Sequence, residues 1–177
     1  LAGMEIVKFK ARDGQPLTAY LSVPPNAAAR DAPMVVMPHG GPESRDSYDF
    51  DPFAQALAAR GWLVLQPNFR GSDGYGRAFA EAGRRRWGDL MQTDIEDAVA
   101  KIVASGQADP RRIAIFGASY GGYAAQMGPI LRRAGMARPD AISAERIRSR
   151  DSATALSPRP TIVNTTLPGI SWTCTST

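Results

Sequence analysis

The sequence predicts an α/β domain with a mostly parallel sheet. Three observations lead there. The runs Met34-Val35-Val36-Met37, Trp62-Leu63-Val64-Leu65 and Ile113-Ala114-Ile115-Phe116 are short and continuously apolar, as in strands buried on both faces. Helical patterns separate them, and strands alternating with helices build parallel sheets. The third run leads straight into Gly117-Ala118-Ser119-Tyr120-Gly121, a tight turn with a serine at its apex, and then into the small residues Gly122 to Ala125.

Ahead of these runs, Glu5 to Lys10 and Leu17 to Val23 alternate in polarity, and Asp13-Gly14 between them signals a turn. The two segments are expected to pair as a hairpin. Pro24-Pro25 through Pro33 reads as a loop. Asp51-Pro52 supplies a helix N-cap and a proline at the first helical position, so Phe53 to Arg60 is a helix that Gly61 ends. Asn68 to Gly76 is a glycine-rich loop. From Asp89 the pattern turns helical, with Leu90, Ile95, Ala98, Val99, Ile102 and Val103 near one face and Gly106 as the stop. Asp109-Pro110 reads as a turn before the strand that reaches Ser119. Gly128-Pro129 is expected to stop or kink the helix that follows.

Gly-x-Ser-x-Gly alone is a weak signal, and a serine in an ordinary glycine-rich turn is its plain reading. Between a buried strand and a helix start it points to a nucleophile elbow. The turn exposes and aims the hydroxyl of Ser119. The backbone N–H of Tyr120 would then face the carbonyl oxygen as charge develops there, helped by the helix dipole. Acyl transfer needs a second oxyanion donor. His39-Gly40-Gly41-Pro42 follows the strand at Met37, and glycines let backbone N–H groups approach a substrate. Gly41 is the favoured donor, with Gly40 as the alternative. His39 is the only histidine in the chain. It precedes Ser119, whereas the triad order in this kind of site is Ser, acid, His. A residue that props the oxyanion loop is therefore preferred to a general base.

Composition narrows the function further. The chain has 177 residues, 44% hydrophobic and 21% charged, enough for one domain with a sizeable core. No apolar run approaches the roughly 20 residues of a membrane helix, so no membrane partner is expected. Residues 1 to 10 lack a signal-peptide pattern, which favours a soluble, cytoplasmic protein. A first residue Leu1 suggests a piece of a longer chain. The single cysteine, Cys174, excludes an internal disulfide, and with one histidine no metal or cofactor is expected. Net charge is +4, yet residues 1 to 125 carry 14 Lys and Arg against 14 Asp and Glu. The excess sits in the tail without interleaved aromatics, so nucleic-acid binding is not expected. Arg84-Arg85-Arg86 reads as a solvated helix face or loop.

Several motifs occur together: His39-Gly40-Gly41-Pro42, Asn68-Phe69-Arg70-Gly71-Ser72-Asp73-Gly74-Tyr75-Gly76, Trp87-Gly88-Asp89, Asp94-Ile95-Glu96-Asp97, and Gly117 to Tyr123. In that order they resemble the catalytic domain of the prolyl oligopeptidase family of serine peptidases, in its acylaminoacyl-peptidase and dipeptidyl-peptidase branches, over residues 5 to 125. The resemblance implies an α/β-hydrolase fold, a preceding β-propeller, and cleavage of short peptides through an acyl-enzyme on Ser119. It also implies a triad acid and histidine well after the serine. No later segment matches these, and neither Asp140 nor Asp151 is assigned as the acid. The expectation is a catalytic domain truncated after the elbow, without peptidase activity of its own. A carboxylesterase or lipase is the alternative within enzymes, and a non-catalytic binding protein that keeps half of a hydrolase fold is the alternative outside them. The Arg70 and Tyr75 segment is read as a loop packed beside the site.

Residues 126 to 177 break the pattern. Lysine vanishes, core-forming runs end, and only Thr161-Ile162-Val163 resembles a strand. The organisation expected is a partial catalytic domain over 1 to 125 and an atypical tail over 126 to 177. That tail is either natively disordered or translated out of frame.

Overall fold

The computed structural model describes residues 1–25, 30–133, 162–164 and 172–173. Its element order is β1 (Gly3–Lys10), β2 (Pro16–Val23), β3 (Ala32–Val36), α1 (Pro52–Ala58), β4 (Leu63–Asn68), α2 (Arg77–Ala82), α3 (Leu90–Ala104), β5 (Ala108–Gly117), α4 (Tyr120–Arg133), β6 (Ile162–Asn164) and β7 (Trp172–Thr173). The strands form one mixed sheet in the order β1-β2-β4-β3-β5-β6-β7. β3 runs parallel to both β4 and β5, and β5 runs parallel to β6. The α/β fold class is as expected.

β1 and β2 form the hairpin, with Lys10 opposite Pro16 and Gly3 opposite Val23. The turn closes through Gly14 N–H to Ala11 O at 2.8 Å, with Gly14 at φ +89°. β2 then pairs antiparallel with β4, Leu21 opposite Leu65. β4 is longer than its apolar run because β2 continues to pair with it as far as Asn68. Pro67 is tolerated because β3 has ended by that level, leaving one flank of β4 without a ladder. α1 starts as expected: the Asp51 side chain accepts from Ala54 N–H at 2.8 Å and Pro52 opens the first turn.

Elsewhere the structure departs from the sequence reading. β5 begins at Ala108, so Asp109-Pro110 lies inside a strand that shifts register between Ala32 and Met34. α4 continues through Gly128-Pro129 to Arg133 instead of stopping. Glycine before proline lacks the Cβ that makes a helical residue clash with the ring, and Gly128 packs close to the Gln92 side chain of α3. α2 went unforeseen because it buries no residue and so has no apolar period. The sheet also extends past the elbow strand. Ile162 pairs with Ile115, and β7 follows antiparallel to β6. Asp140, Asp151 and Cys174 lie outside the described residues, as does most of the expected tail.

The core lies between the sheet and α3 with α4. Leu21, Met34, Val36, Leu65, Phe69, Met91, Ile95 and Ile102 are buried together. Burying one such large side chain contributes about 1.5–3 kcal/mol. One ion pair ties this core to the loop after β4. Arg70 donates to Asp94 from Nε at 2.9 Å, from Nη2 at 2.5 Å and from its backbone N–H at 2.8 Å. Its Nη1 reaches Asp13 of the hairpin turn at 2.5 Å. The carboxylates hold the Arg70 guanidinium above its ordinary pKa. Burial pushes the Asp94 carboxyl up against the pull of Arg70.

On the other face of β2 and β4, the loop between β3 and α1 settles over polar side chains. Asp46 N–H donates to Asn68 Oδ1 at 2.9 Å, and Asn68 Nδ2 donates back to Asp46 O at 3.0 Å. Among the described residues the Asp46 carboxyl meets only the Gln66 amide, at 3.5 Å. Asp46 Oδ2, Gln66 Oε1 and Ser22 Oγ are buried without partners among the described residues. Burial, with the nearby Asp51 charge, pushes Asp46 up to about 7.

Two outcomes follow from these polar anchors. Asp94→Ala strands the buried Arg70 charge and should cost about 3–5 kcal/mol. Asp94→Asn combined with Arg70→Met keeps an acceptor for the Arg70 backbone N–H and should cost less; urea unfolding of both variants checks the order. Asp46 binds a proton more tightly when folded, so its contribution to stability is full below pH 3.8 and is lost as pH rises through about 7. The unfolding midpoint of the wild type minus that of Asp46→Asn should therefore fall across that window, and a flat difference would refute the assignment.

Candidate active site

The strand β5 ends at Gly117 and α4 begins at Tyr120, so the chain reverses within two residues. A Cβ on Gly117 would lie 2.5 Å from the Gly121 carbonyl carbon, and one on Gly121 would lie 2.1 Å from Pro38 O. Those distances permit only glycine at both positions. The turn leaves Ser119 exposed with φ +55°. A non-glycine residue in that region is uncommon, and such strain persists only where packing over-determines it. Tyr123 N–H donates to Ser119 O at 3.1 Å, which opens the helix behind the serine.

Pro38 to Pro42 runs across the face of this elbow. A Cβ on Gly40 would lie 3.5 Å from Ser119 Cβ and 4.0 Å from its Oγ. Gly41 follows at φ +115° and is exposed. The structure therefore sets Gly40 against the Ser119 side chain, next to Tyr120 in sequence, whereas the nearest neighbours of Gly41 are Glu43 and Ser44.

His39 does not face Ser119. Its Nδ1 donates to Gly40 O at 2.7 Å, and its Nε2 lies 2.8 Å from Ser72 Oγ. The ring stacks on Phe69, with centroids 4.4 Å apart and planes 17° apart. Burial pushes the imidazole pKa down, and the Gly40 carbonyl works against that. In the neutral ring the Nδ1 proton belongs to Gly40 O, so Nε2 must accept. Ser72, which also lies 2.6 Å from Phe69 O, has one proton to divide between that carbonyl and His39. With both nitrogens engaged, the ring has none left for the serine.

Behind the elbow Tyr120 is buried against Phe69, Trp87 and Tyr123, at centroid distances of 5.2, 5.0 and 5.8 Å. Burial raises its phenol pKa, and the hydroxyl has no partner among the described residues. The sequence reading missed the parts played by Phe69, Ser72 and Trp87. Their motifs were visible, but a stacking partner is set by tertiary contact and leaves no spacing signal. Among the described residues no group of three or more His, Cys, Asp or Glu could hold a metal ion. No described helix is long and apolar enough to cross a membrane.

Residues 48–130 match the prolyl oligopeptidase family. The dipeptidyl aminopeptidase BIII of Pseudoxanthomonas mexicana is 42% identical over 129 residues, which are 69% of this chain and 19% of that enzyme. The acylamino-acid-releasing enzyme of Rattus norvegicus is 34% identical over 67% of this chain and 16% of its own length. Among solved structures, a Mycobacterium tuberculosis puromycin-hydrolyzing peptidase superposes with a TM-score of 0.68 at 38% identity, covering 72% of this chain and 21% of that one. An acylaminoacyl peptidase in complex with Z-Gly-Gly-Phe-chloromethyl ketone gives 0.66 at 32%, over 71% and 21%. The chain thus spans about a fifth of the length of the relatives it matches. The family match, the peptidase relatives and the shared α/β architecture agree: over residues 48–130 the chain is similar to the prolyl oligopeptidase family of serine peptidases.

Proposed function

We propose that this chain carries the nucleophile half of a serine peptidase site that cleaves short peptides through an acyl-enzyme. The observation that carries the reading is Ser119 at φ +55°, with the backbone of Gly40 against its side chain. Ser119 Oγ attacks the peptide carbonyl. The Tyr120 N–H and the Gly41 N–H, with Gly40 as the alternative, hold the oxyanion. His39 shapes the glycine strip and takes no proton. A peptide substrate is supported by the peptidyl chloromethyl ketone bound to the acylaminoacyl peptidase that this chain resembles.

Because the only histidine is committed elsewhere, the chain has no imidazole to deprotonate Ser119. Loss of a triad member leaves on the order of 10³–10⁴-fold catalysis over water. The purified chain should therefore turn over aminoacyl anilides at well under about 1 per second, and faster turnover abolished by Ser119→Ala would contradict the role given to His39. Nucleophile and oxyanion groups can be tested without turnover. A peptide boronic acid should give a tetrahedral boron signal by NMR that Ser119→Ala removes. Equal adduct formation with a simple alkyl boronic acid would favour the esterase reading over the peptidase one.

A further inference from the structure

A second feature opens beside the elbow. A cleft of about 430 Å³ is lined by Gly41, Pro42 and Glu43 on one side and by Arg84, Arg85 and Trp87 on the other. That volume falls within the roughly 300–1,000 Å³ of small-molecule sites. The cleft borders the reaction site on both walls. Gly41 belongs to the glycine strip, and Trp87 lies 5.0 Å from Tyr120 in an edge-on contact.

The arginines are not equivalent. Arg86 is tied to Asp89 at 2.7 Å. Arg84 and Arg85 have no carboxylate partner among the described residues. They are nevertheless held in a defined place. Arg84 N–H bonds to Glu81 O at 3.0 Å and Arg86 N–H bonds to Gly83 O at 3.1 Å. Gly83 packs so closely on Gly71 that a Cβ would lie 2.4 Å from the Gly71 Cα. Arg85 itself adopts φ +56°, a conformation a non-glycine residue rarely takes. Beside these cations Trp87 remains 51% exposed, a large apolar face with little covering it.

We propose that this cleft binds the carboxylate of a short peptide, with Arg84 and Arg85 as the anion-recognising pair and Trp87 as the wall for the adjoining side chain. Guanidinium groups match carboxylates through paired N–H donors. Glu43, across the cleft, accepts peptide N–H groups and disfavours a second negative charge. The carboxylate comes either from the C-terminus of the substrate, on the leaving-group side of the scissile bond, or from an Asp or Glu side chain. The placement next to Ser119 rests on the peptidase reading, but binding itself does not require acyl transfer.

The test is equilibrium binding by calorimetry at low salt, with Gly-Gly-Phe, its C-terminal amide, and Gly-Asp-Phe amide as probes. The free acid should bind at least about 10-fold more tightly than its amide, and Arg84→Gln with Arg85→Gln should erase the difference while leaving the circular dichroism spectrum unchanged. Recovery of affinity by Gly-Asp-Phe amide assigns the side-chain source, and no recovery assigns the C-terminus. Ser119→Ala should bind peptide as the wild type does, and absence of the boronate adduct from the wild type with retained peptide binding would sink the peptidase reading alone. Equal affinity for acid and amide, no binding of any probe, or a preference that survives the double arginine substitution would overturn the cleft assignment.

Discussion

The buried pair between Arg70 and Asp94 is the contact on which the rest of this site depends. It fixes the loop after β4 to α3, and Asp13 extends the grip to the hairpin turn. Phe69, the preceding residue, is thereby held between the His39 ring and Tyr120. Gly71, the following residue, is the floor on which Gly83 and the arginine turn rest. A buried ion pair adds little net stability, since desolvation offsets its attraction. What it supplies here is position: three chain segments meet at one guanidinium, in one geometry.

The elbow obeys a stricter kind of constraint, which is steric. Gly117 and Gly121 leave no room for a Cβ, the first against the helix start and the second against the Pro38 carbonyl, so the strand, the glycine strip and the helix start are packed backbone to backbone. That agrees with the energetic logic of acyl transfer, in which donors must already point at the developing charge. His39 serves the same end by spending both of its polar atoms on neighbours. Preorganising the strip and deprotonating the serine are separate tasks, and with both ring nitrogens engaged the role proposed for His39 is only the first.

Much of this was legible in the sequence, for reasons that vary by element. Asp51-Pro52 revealed α1 because a cap and a proline act locally. The elbow was visible because its glycines answer to close backbone approach. α2 was invisible because it buries nothing. Asp109-Pro110 looked like a turn, since nothing local reveals that β3 accepts a shifted register there. Pro129 misled although α4 continues through it; the glycine before it removes only the clash between the ring and a preceding Cβ. In the site, Ser119, Tyr120, Gly40, Gly41 and His39 could be named from motifs. Phe69, Ser72 and Trp87 could not be given roles, because stacking and second-partner hydrogen bonds depend on which loops meet in space.

The solitary imidazole has one more consequence. With a single histidine, the chain has one ring whose carbon-bound protons resonate in an otherwise sparse spectral region, so it holds an intrinsic reporter at its most constrained loop. The Phe69 face stacked on that ring shifts its signals by ring current, and the shift fades if the two planes separate. Any change in the glycine strip, from a bound ligand or a distant substitution, would thus be read at one pair of lines, without a label and without turnover.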